Sequence, residues 1–161
     1  MNRVEFFGAS REALFAPVAL PKIGKNVRRV AYRLSASDFA VAILDYFARE
    51  GRPPDISTLA AIDVAVNSLS DHRVLADACG LVGALREHEA INPERIGSLG
   101  FCIGGTYSLM LSAETPNLSA SVDYYGSVCT RKLQIRSLCR RLIVPKLSKL
   151  HSLRILVHST G

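Results

Sequence analysis

The sequence lacks the features that mark disulfide-stapled, zinc-binding, secreted or membrane-spanning chains. Its four cysteines form no CxxC pair and follow no regular spacing, which argues against a disulfide framework or a metal site and favours a reducing cytoplasm. No basic start leads into an apolar stretch with a small-residue cleavage site, so we expect no signal peptide. The longest uncharged run, residues 96–113, contains four glycines, three serines and a threonine. We interpret it as a strand, a tight turn and a helix, not as a membrane span.

Acidic residues are absent from the last part of the chain. Residues 129–161 contain 8 Lys/Arg and no Asp/Glu, a net of +8, whereas residues 1–128 contain 12 Lys/Arg against 14 Asp/Glu, a net of −2. The overall charge of +6 therefore belongs to the tail. We expect a folded domain over 1–128, followed by a basic, divergent segment over 129–161.

Hydrophobic periodicity predicts strands and helices in alternation. In chain order, the predicted elements are a helix over 25–36, a strand over 39–44, helices over 56–68 and 71–88, a strand over 96–101, a helix over 103–114 and a strand over 120–125. Ser70 is the predicted N-cap of the helix that follows it. The apolar run Phe39–Leu44 is typical of a strand that is buried on both faces. This alternation predicts an α/β fold, a parallel sheet with crossover helices.

The two ends of the chain give less regular patterns. Residues 1–23 contain short apolar runs interrupted by Pro17 and Pro21, which predicts one or two short edge strands. Residues 153–158 resemble one more strand, and the chain stops three residues later. Because no covering helix follows this core strand, we expect an incomplete α/β domain.

The segment Gly100-Phe101-Cys102-Ile103-Gly104 lies where a predicted strand turns directly into a predicted helix. At such a turn the central residue has a strained backbone and displays its side chain above the sheet, and the flanking glycines leave room for that geometry. The backbone N–H of Ile103 could then donate to an oxyanion. We interpret Cys102 as a nucleophile, with Gly100, Gly104 and Gly105 as the glycines of a G-x-C-x-G nucleophile elbow. The alternative is that Cys102 is a small buried hydrophobe, as most cysteines are.

Several segments resemble the dienelactone hydrolase family, the carboxymethylenebutenolidase-like α/β-hydrolases. They are Asn26–Leu34, Phe39–Gly51, Asp71–Asp77, Asn92–Gly97, Gly100–Gly105 and Tyr124–Gly126, in the family's order and spacing. The resemblance implies an α/β-hydrolase fold and the opening of lactones or esters by a Cys-His-Asp triad, with no metal and no organic cofactor. It aligns Cys102 with the family nucleophile and the Ile103 N–H with one oxyanion donor.

Two parts of the family pattern are missing from their expected places. Family members have a strand just before the helix that 26–34 resembles, and a glutamate of that strand contacts the nucleophile. Lys22-Ile23-Gly24 stands there instead, so we expect the strand to be deleted. A gap in the sheet would expose edges and favour self-association. The family's Asp and His follow the strand that 153–158 resembles, and this chain ends before both.

Three functions remain open. The first is hydrolysis of a small-molecule lactone or ester by Cys102, with a base that the sequence does not identify, since we expect His72 and His88 on a helix surface. The second is a catalytically inactive, truncated family member that acts, if at all, as a binding or interaction protein. The third is contact of the basic tail with nucleic acid or acidic lipid. The tail contains no Phe, Tyr or Trp and no nucleic-acid motif, so we expect neither a nucleic-acid nor a membrane partner.

Overall fold

The computed structural model describes residues 4–7, 12–17, 25–49, 55–115, 118–124 and 126. Its strands are Val4–Phe7 (β1), Glu12–Pro17 (β2), Phe39–Leu44 (β3), Ile96–Phe101 (β4) and Ala120–Tyr124 (β5). Its helices are Lys25–Ser35 (α1), Leu59–Ser68 (α2), Asp71–Glu87 (α3) and Ile103–Glu114 (α4). The predicted elements from α1 to β5 are confirmed, with small differences at their ends.

The strands form one sheet in the order β1-β3-β2-β4-β5. The pairs β2–β3, β2–β4 and β4–β5 are parallel, and β1 is antiparallel to β3. Helix α1 connects β2 to its parallel neighbour β3, and α4 connects β4 to its parallel neighbour β5. The predicted α/β architecture, a parallel sheet with crossover helices, is therefore confirmed.

The position of β2 corrects two expectations. Of the two strands in residues 1–23, β1 lies at an edge of the described sheet, but β2 does not, because it pairs with β3 on one side and with β4 on the other. Pro17 is the last residue of β2, so its missing N–H falls at the end of the ladder, where it does not confine the strand to an edge. The expected deletion was also wrong, because β2 supplies a parallel strand ahead of α1. Residues 18–24 separate the two, and this strand therefore lies further upstream than the resemblance suggested.

Strand β3 lies between two apolar layers. Val41 and Ile43 pack with Ala31 of α1. The alternate residues of the strand belong to a larger cluster that includes the apolar faces of α3 and α4. Because successive side chains of a strand point to opposite faces, α1 covers one face of the sheet, and α3 and α4 cover the other. Burial of β3 on both faces confirms what its continuous apolar run predicted.

Side-chain caps set the starts of the two helices between β3 and β4. The Ser70 hydroxyl accepts a hydrogen bond from the Arg73 N–H at 3.4 Å, which confirms Ser70 as the N-cap of α3. Thr58 caps α2 by accepting from the Ala61 N–H at 3.1 Å, so this helix begins a few residues later than predicted. The apolar stripe that predicts α3 consists of Val74, Leu75, Ala78, Leu81, Val82 and Leu85, and all of these are buried except Leu75, which is partly buried.

Several predictions fall outside the described residues. These are the loop that Gly51-Arg52-Pro53-Pro54 indicates, the basic segment over 129–161 and, within it, the strand over 153–158. The domain boundary after residue 128 stays a prediction. In the described parts of the chain, no helix is long and apolar enough to cross a membrane. The same residues contain no cluster of three or more His, Cys, Asp or Glu that could hold a metal ion.

Candidate active site

A single residue, Cys102, forms the turn between β4 and α4. Its backbone has φ 53° and ψ −128°, a conformation that residues with a Cβ rarely adopt. Asp38, between α1 and β3, is the other non-glycine residue with positive φ in the part of the chain that the structure describes. Such conformations persist only where the surroundings enforce them, and they occur often at functional sites.

Backbone hydrogen bonds hold Cys102 in this conformation. Its N–H donates to the Tyr124 carbonyl at 2.9 Å, and its own carbonyl accepts from the N–H groups of Gly105 and Thr106 at 2.9 and 3.3 Å. The side chain is exposed, so the alternative that Cys102 is a buried hydrophobe was wrong. The Ile103 N–H is at the open start of α4 and, within the described ranges, donates no hydrogen bond.

The glycines around Cys102 allow β4 and α4 to approach closely. A Cβ on Gly100 would overlap the carbonyl group of Gly104 and the backbone nitrogen of Gly105. A Cβ on Gly105 would overlap the Asp123 carboxylate and lie 3.2 Å from the Gly100 carbonyl oxygen. The strand and the helix therefore cross with backbone against backbone at the three positions where the motif has glycine. Any side chain at Gly100 or Gly105 would displace one of these elements or the carboxylate.

Asp123 lies beside this crossing and was not singled out by the sequence analysis. It faces Gly100 across the β4–β5 ladder, is partly buried, and accepts a hydrogen bond from the Gly126 N–H at 2.7 Å. Burial raises the pKa of the Asp123 carboxyl, and the Gly126 N–H offsets part of that rise. The signal in the sequence was a lone acid among the apolar and hydroxyl residues of a short strand.

Three serine hydroxyls form a second layer between β4, α4 and β5. The Ser98 and Ser108 hydroxyls are 2.7 Å apart, those of Ser108 and Ser121 are 3.0 Å apart, and Ser98 also donates to Ser121 at 3.3 Å. Ser98 and Ser108 are fully buried. Because buried hydroxyl groups need partners, these three residues satisfy one another and join the three elements that form the turn.

Tyr107, one turn into α4, lies in the core. It is 2% exposed, packs edge to face on Tyr46, and donates a hydrogen bond from its hydroxyl to the Asp71 carboxylate at 2.7 Å. Burial raises the pKa of both tyrosines above the ordinary value. The Tyr46 hydroxyl is buried and has no hydrogen-bond partner among the described residues.

No base for Cys102 is visible in the described part of the chain. His72 and His88 are both exposed near the two ends of α3, which confirms the surface position predicted for them. The Nδ1 atom of His88 accepts from the Ala90 N–H at 3.2 Å, and no hydrogen bond between described residues joins either histidine to Cys102. The groups assembled at the turn are therefore an exposed thiol and the helix-start N–H of Ile103.

An aromatic pair lies next to the thiol. The rings of Phe101 and Tyr124 stack with centroids 4.9 Å apart and planes 18° apart. Phe101 directly precedes Cys102, and Tyr124 is 46% exposed while its carbonyl accepts from the Cys102 N–H. The surface around Cys102 is thus partly apolar.

The fold is that of the α/β-hydrolases. The crystal structure of a Klebsiella pneumoniae subsp. pneumoniae protein assigned as a dienelactone hydrolase matches with a TM-score of 0.70 at 18% identity, covering 82% of this chain and 63% of that chain. A dienelactone hydrolase-like promiscuous phosphotriesterase from metagenomic libraries matches with a TM-score of 0.66 at 16% identity, covering 92% and 72% of the two chains. At these identities the likeness shows the fold alone.

The family follows from the sequence match. The model of the dienelactone hydrolase family matches residues 22–143, so the chain belongs to this family and the resemblance is confirmed. A Bradyrhizobium sp protein assigned as a 2-oxo-3-(5-oxofuran-2-ylidene)propanoate lactonase is 38% identical over 114 residues, which cover 71% of this chain and 45% of that protein. The chain therefore spans less than half the length of the first curated relatives that it matches.

Proposed function

We propose that the chain acts as a hydrolase of lactone or ester bonds, with Cys102 as the nucleophile of a G-x-C-x-G elbow. The observation that carries this proposal is an exposed thiol on a residue held at φ 53° between β4 and α4. A cysteine with only a structural role would not need a strained backbone conformation or an exposed thiol. Family membership supports the same reaction class.

The proposed reaction is acyl transfer in two steps. The Cys102 sulfur attacks the carbonyl carbon, and the Ile103 N–H donates to the oxyanion that forms. The acyl C–O bond then breaks, the leaving oxygen takes up a proton, and a thioester to Cys102 remains. Water attacks the thioester, releases the carboxylic acid and regenerates the thiol. The base that would accept the thiol proton is not among the groups that the structure brings to Cys102.

The proposed substrate is a small-molecule lactone or ester. The Bradyrhizobium relative is assigned as a lactonase, and the stacked rings of Phe101 and Tyr124 give the thiol a partly apolar neighbourhood. We propose no cofactor and neither a nucleic-acid nor a membrane partner. A cytoplasmic location stays a proposal based on cysteine usage. We also propose that self-association, if it occurs, uses the outer strands β1 and β5 of the described sheet, since the gap first expected in the sheet is absent from it.

The second candidate function is an inactive family member that binds without turnover. It is favoured by the exposed positions of His72 and His88, since neither is hydrogen-bonded to Cys102 in the described structure. The two candidates differ in one measurable property, which is hydrolysis that depends on Cys102.

The test compares 4-nitrophenyl acetate and a simple aromatic lactone as substrates of wild type, Cys102→Ala and Cys79→Ala. We expect Cys102→Ala to lower the rate at least about 100-fold, because it removes the attacking atom. Cys79 is the matched control, since its partly buried sulfur lies 3.7 Å from the Thr115 hydroxyl in another part of the fold. Equal rates for wild type and Cys102→Ala would refute the nucleophile. A wild-type rate no higher than that of an equal concentration of a simple thiol would favour the inactive candidate.

A further inference from the structure

The Asp123 carboxylate lies in a partly buried position, where a negative charge is disfavoured. It lies on the face of the sheet that α4 covers, opposite Gly100 in the ladder, with Oδ1 pressed against Gly105. Burial disfavours a charge there, and no cation forms a salt bridge with Asp123 in the described residues. The carboxylate therefore needs a reason other than packing.

The Asp123 carboxylate binds the backbone of Gly126, next to the start of α4. Oδ1 accepts the Gly126 N–H at 2.7 Å. A Cβ on Gly126 would meet both carboxylate oxygens and the backbone nitrogen of Thr106, so Gly126 lies directly on the first turn of the helix. The Asp123 carboxylate thus lies between Gly105 of α4 and Gly126, and its hydrogen bond fixes Gly126 relative to the end of β5.

The segment fastened in this way also holds the candidate nucleophile. Tyr124, the residue after Asp123, presents the carbonyl that accepts the Cys102 N–H at 2.9 Å. The donor of this bond is the strained residue Cys102 itself. The next N–H along the chain, that of Ile103, is the open donor at the start of α4. If the end of β5 moved away from α4, the Tyr124 carbonyl would move with it.

We propose that Asp123 is a positioning residue that keeps the Tyr124 carbonyl on the Cys102 N–H by binding the Gly126 N–H. The required property is the acceptor oxygen, so an amide in its place would serve. The effect on turnover rests on the proposed function of Cys102, whereas the effect on the hydrogen bond does not.

The first experiment measures amide hydrogen exchange by NMR in wild type, Asp123→Ala and Asp123→Asn. In Asp123→Ala we expect the Cys102 amide to exchange at least about tenfold faster, because a hydrogen bond to a charged acceptor is lost. Asp123→Asn should restore protection to within about threefold. The Ser119 amide, bonded to the Ile96 carbonyl at 2.8 Å at the other end of the β4–β5 pair, should not change. Unchanged protection of Cys102, or equal acceleration at Ser119, would overturn the proposal.

A second variant tests the same link without removing the carboxylate. Gly126→Ala places a Cβ against both oxygens of Asp123 and should accelerate Cys102 exchange as Asp123→Ala does. The double variant should show no further acceleration, because both changes break one contact. Additive acceleration would overturn the proposal. This variant also serves as the test if Asp123→Ala does not fold.

The functional measurement separates positioning from substrate binding. If Cys102 is the nucleophile, Asp123→Ala should lower kcat for 4-nitrophenyl acetate about 10- to 100-fold at nearly unchanged KM, and Asp123→Asn should recover it. The matched control is Ser119→Ala, which loses a side-chain bond to the Glu94 carbonyl at the distant end of β5 and should keep wild-type kcat. If Cys102→Ala leaves hydrolysis intact, the proposed function fails, while the exchange experiment still decides the role of Asp123.

Discussion

Replacement of Gly100 by alanine should destabilise the protein, although the same substitution elsewhere should stabilise it. The added Cβ would overlap the carbonyl group of Gly104 and the nitrogen of Gly105, which are backbone atoms of the first turn of α4. No side chain can rotate to relieve this overlap. Strand β4 and helix α4 would have to separate, and the backbone around Cys102 would change with them.

The magnitude follows from two opposing terms. Alanine in place of glycine restricts the unfolded chain and ordinarily adds about 0.5–1 kcal/mol of stability. Overpacking a close contact typically costs about 1–3 kcal/mol, and the cost lies toward the upper end when backbone must move. We therefore expect Gly100→Ala to lower the free energy of unfolding by about 1–2 kcal/mol. In a chain of 161 residues this corresponds to a fall in Tm of about 2–4 °C for each kcal/mol.

The assay is urea unfolding, with Gly80→Ala and Gly83→Ala as matched controls. Both control glycines lie inside α3, and a Cβ on either would meet no atom within 4 Å. They should raise the midpoint by the equivalent of about 0.5–1 kcal/mol each. The reasoning would be refuted if Gly100→Ala matched wild type or gained stability as the controls do.

Four further outcomes are expected from the same contacts. Gly105→Ala should destabilise less than the substitution just described, because its first obstacle is the Asp123 side chain, which can rotate; urea midpoints give the comparison. Ser108→Ala should cost about 1–2 kcal/mol in the same assay, because it removes two hydroxyl contacts of a buried cluster. Burial raises the pKa of Tyr107 and Tyr46, so the stability that their neutral hydroxyls contribute to the folded state is complete below about pH 10 and is lost as pH rises further. Tyr107→Phe should flatten this alkaline decline in a series of unfolding curves. Burial also raises the pKa of Asp123, so the stability that its protonated carboxyl contributes is complete below about pH 3.9 and is lost as pH rises through the raised value. Urea unfolding between pH 4 and 7 should therefore show Asp123→Asn gaining stability relative to wild type.

Local patterns predicted the elements of the fold well, because their signals lie within each element. The run Phe39–Leu44 has no polar residue and matches β3 at both ends, and the stripe of α3 with its Ser70 cap matches the observed helix. Strand β2 was misplaced because sheet order depends on which strands meet, and no local pattern records that. Pro17 indicated an edge only under the assumption that it lay within the strand.

The candidate site was predicted in part for the same reason. The turn at Cys102 is encoded by neighbours in sequence, since Gly100, Gly104 and Gly105 all lie within three residues of it. Asp123 reaches this turn only through the register of β5 on β4. The serine cluster likewise forms only when β4, α4 and β5 are assembled, and each serine alone is an ordinary hydroxyl residue.

The backbone conformation and exposure of Cys102 are therefore determined within one short part of the chain. Residues 96–126 contain the three backbone hydrogen-bond partners of Cys102, the glycines of the β4–α4 crossing and the Asp123 carboxylate. Among the described residues, no group at this turn could act as the base for the thiol. Substitutions in this unit should change the exposure and backbone bonding of the thiol whether or not the chain turns over substrate. Measurements on the Cys102 thiol and amide therefore test the geometry of the turn. Only a hydrolysis assay tests whether Cys102 is a catalytic nucleophile.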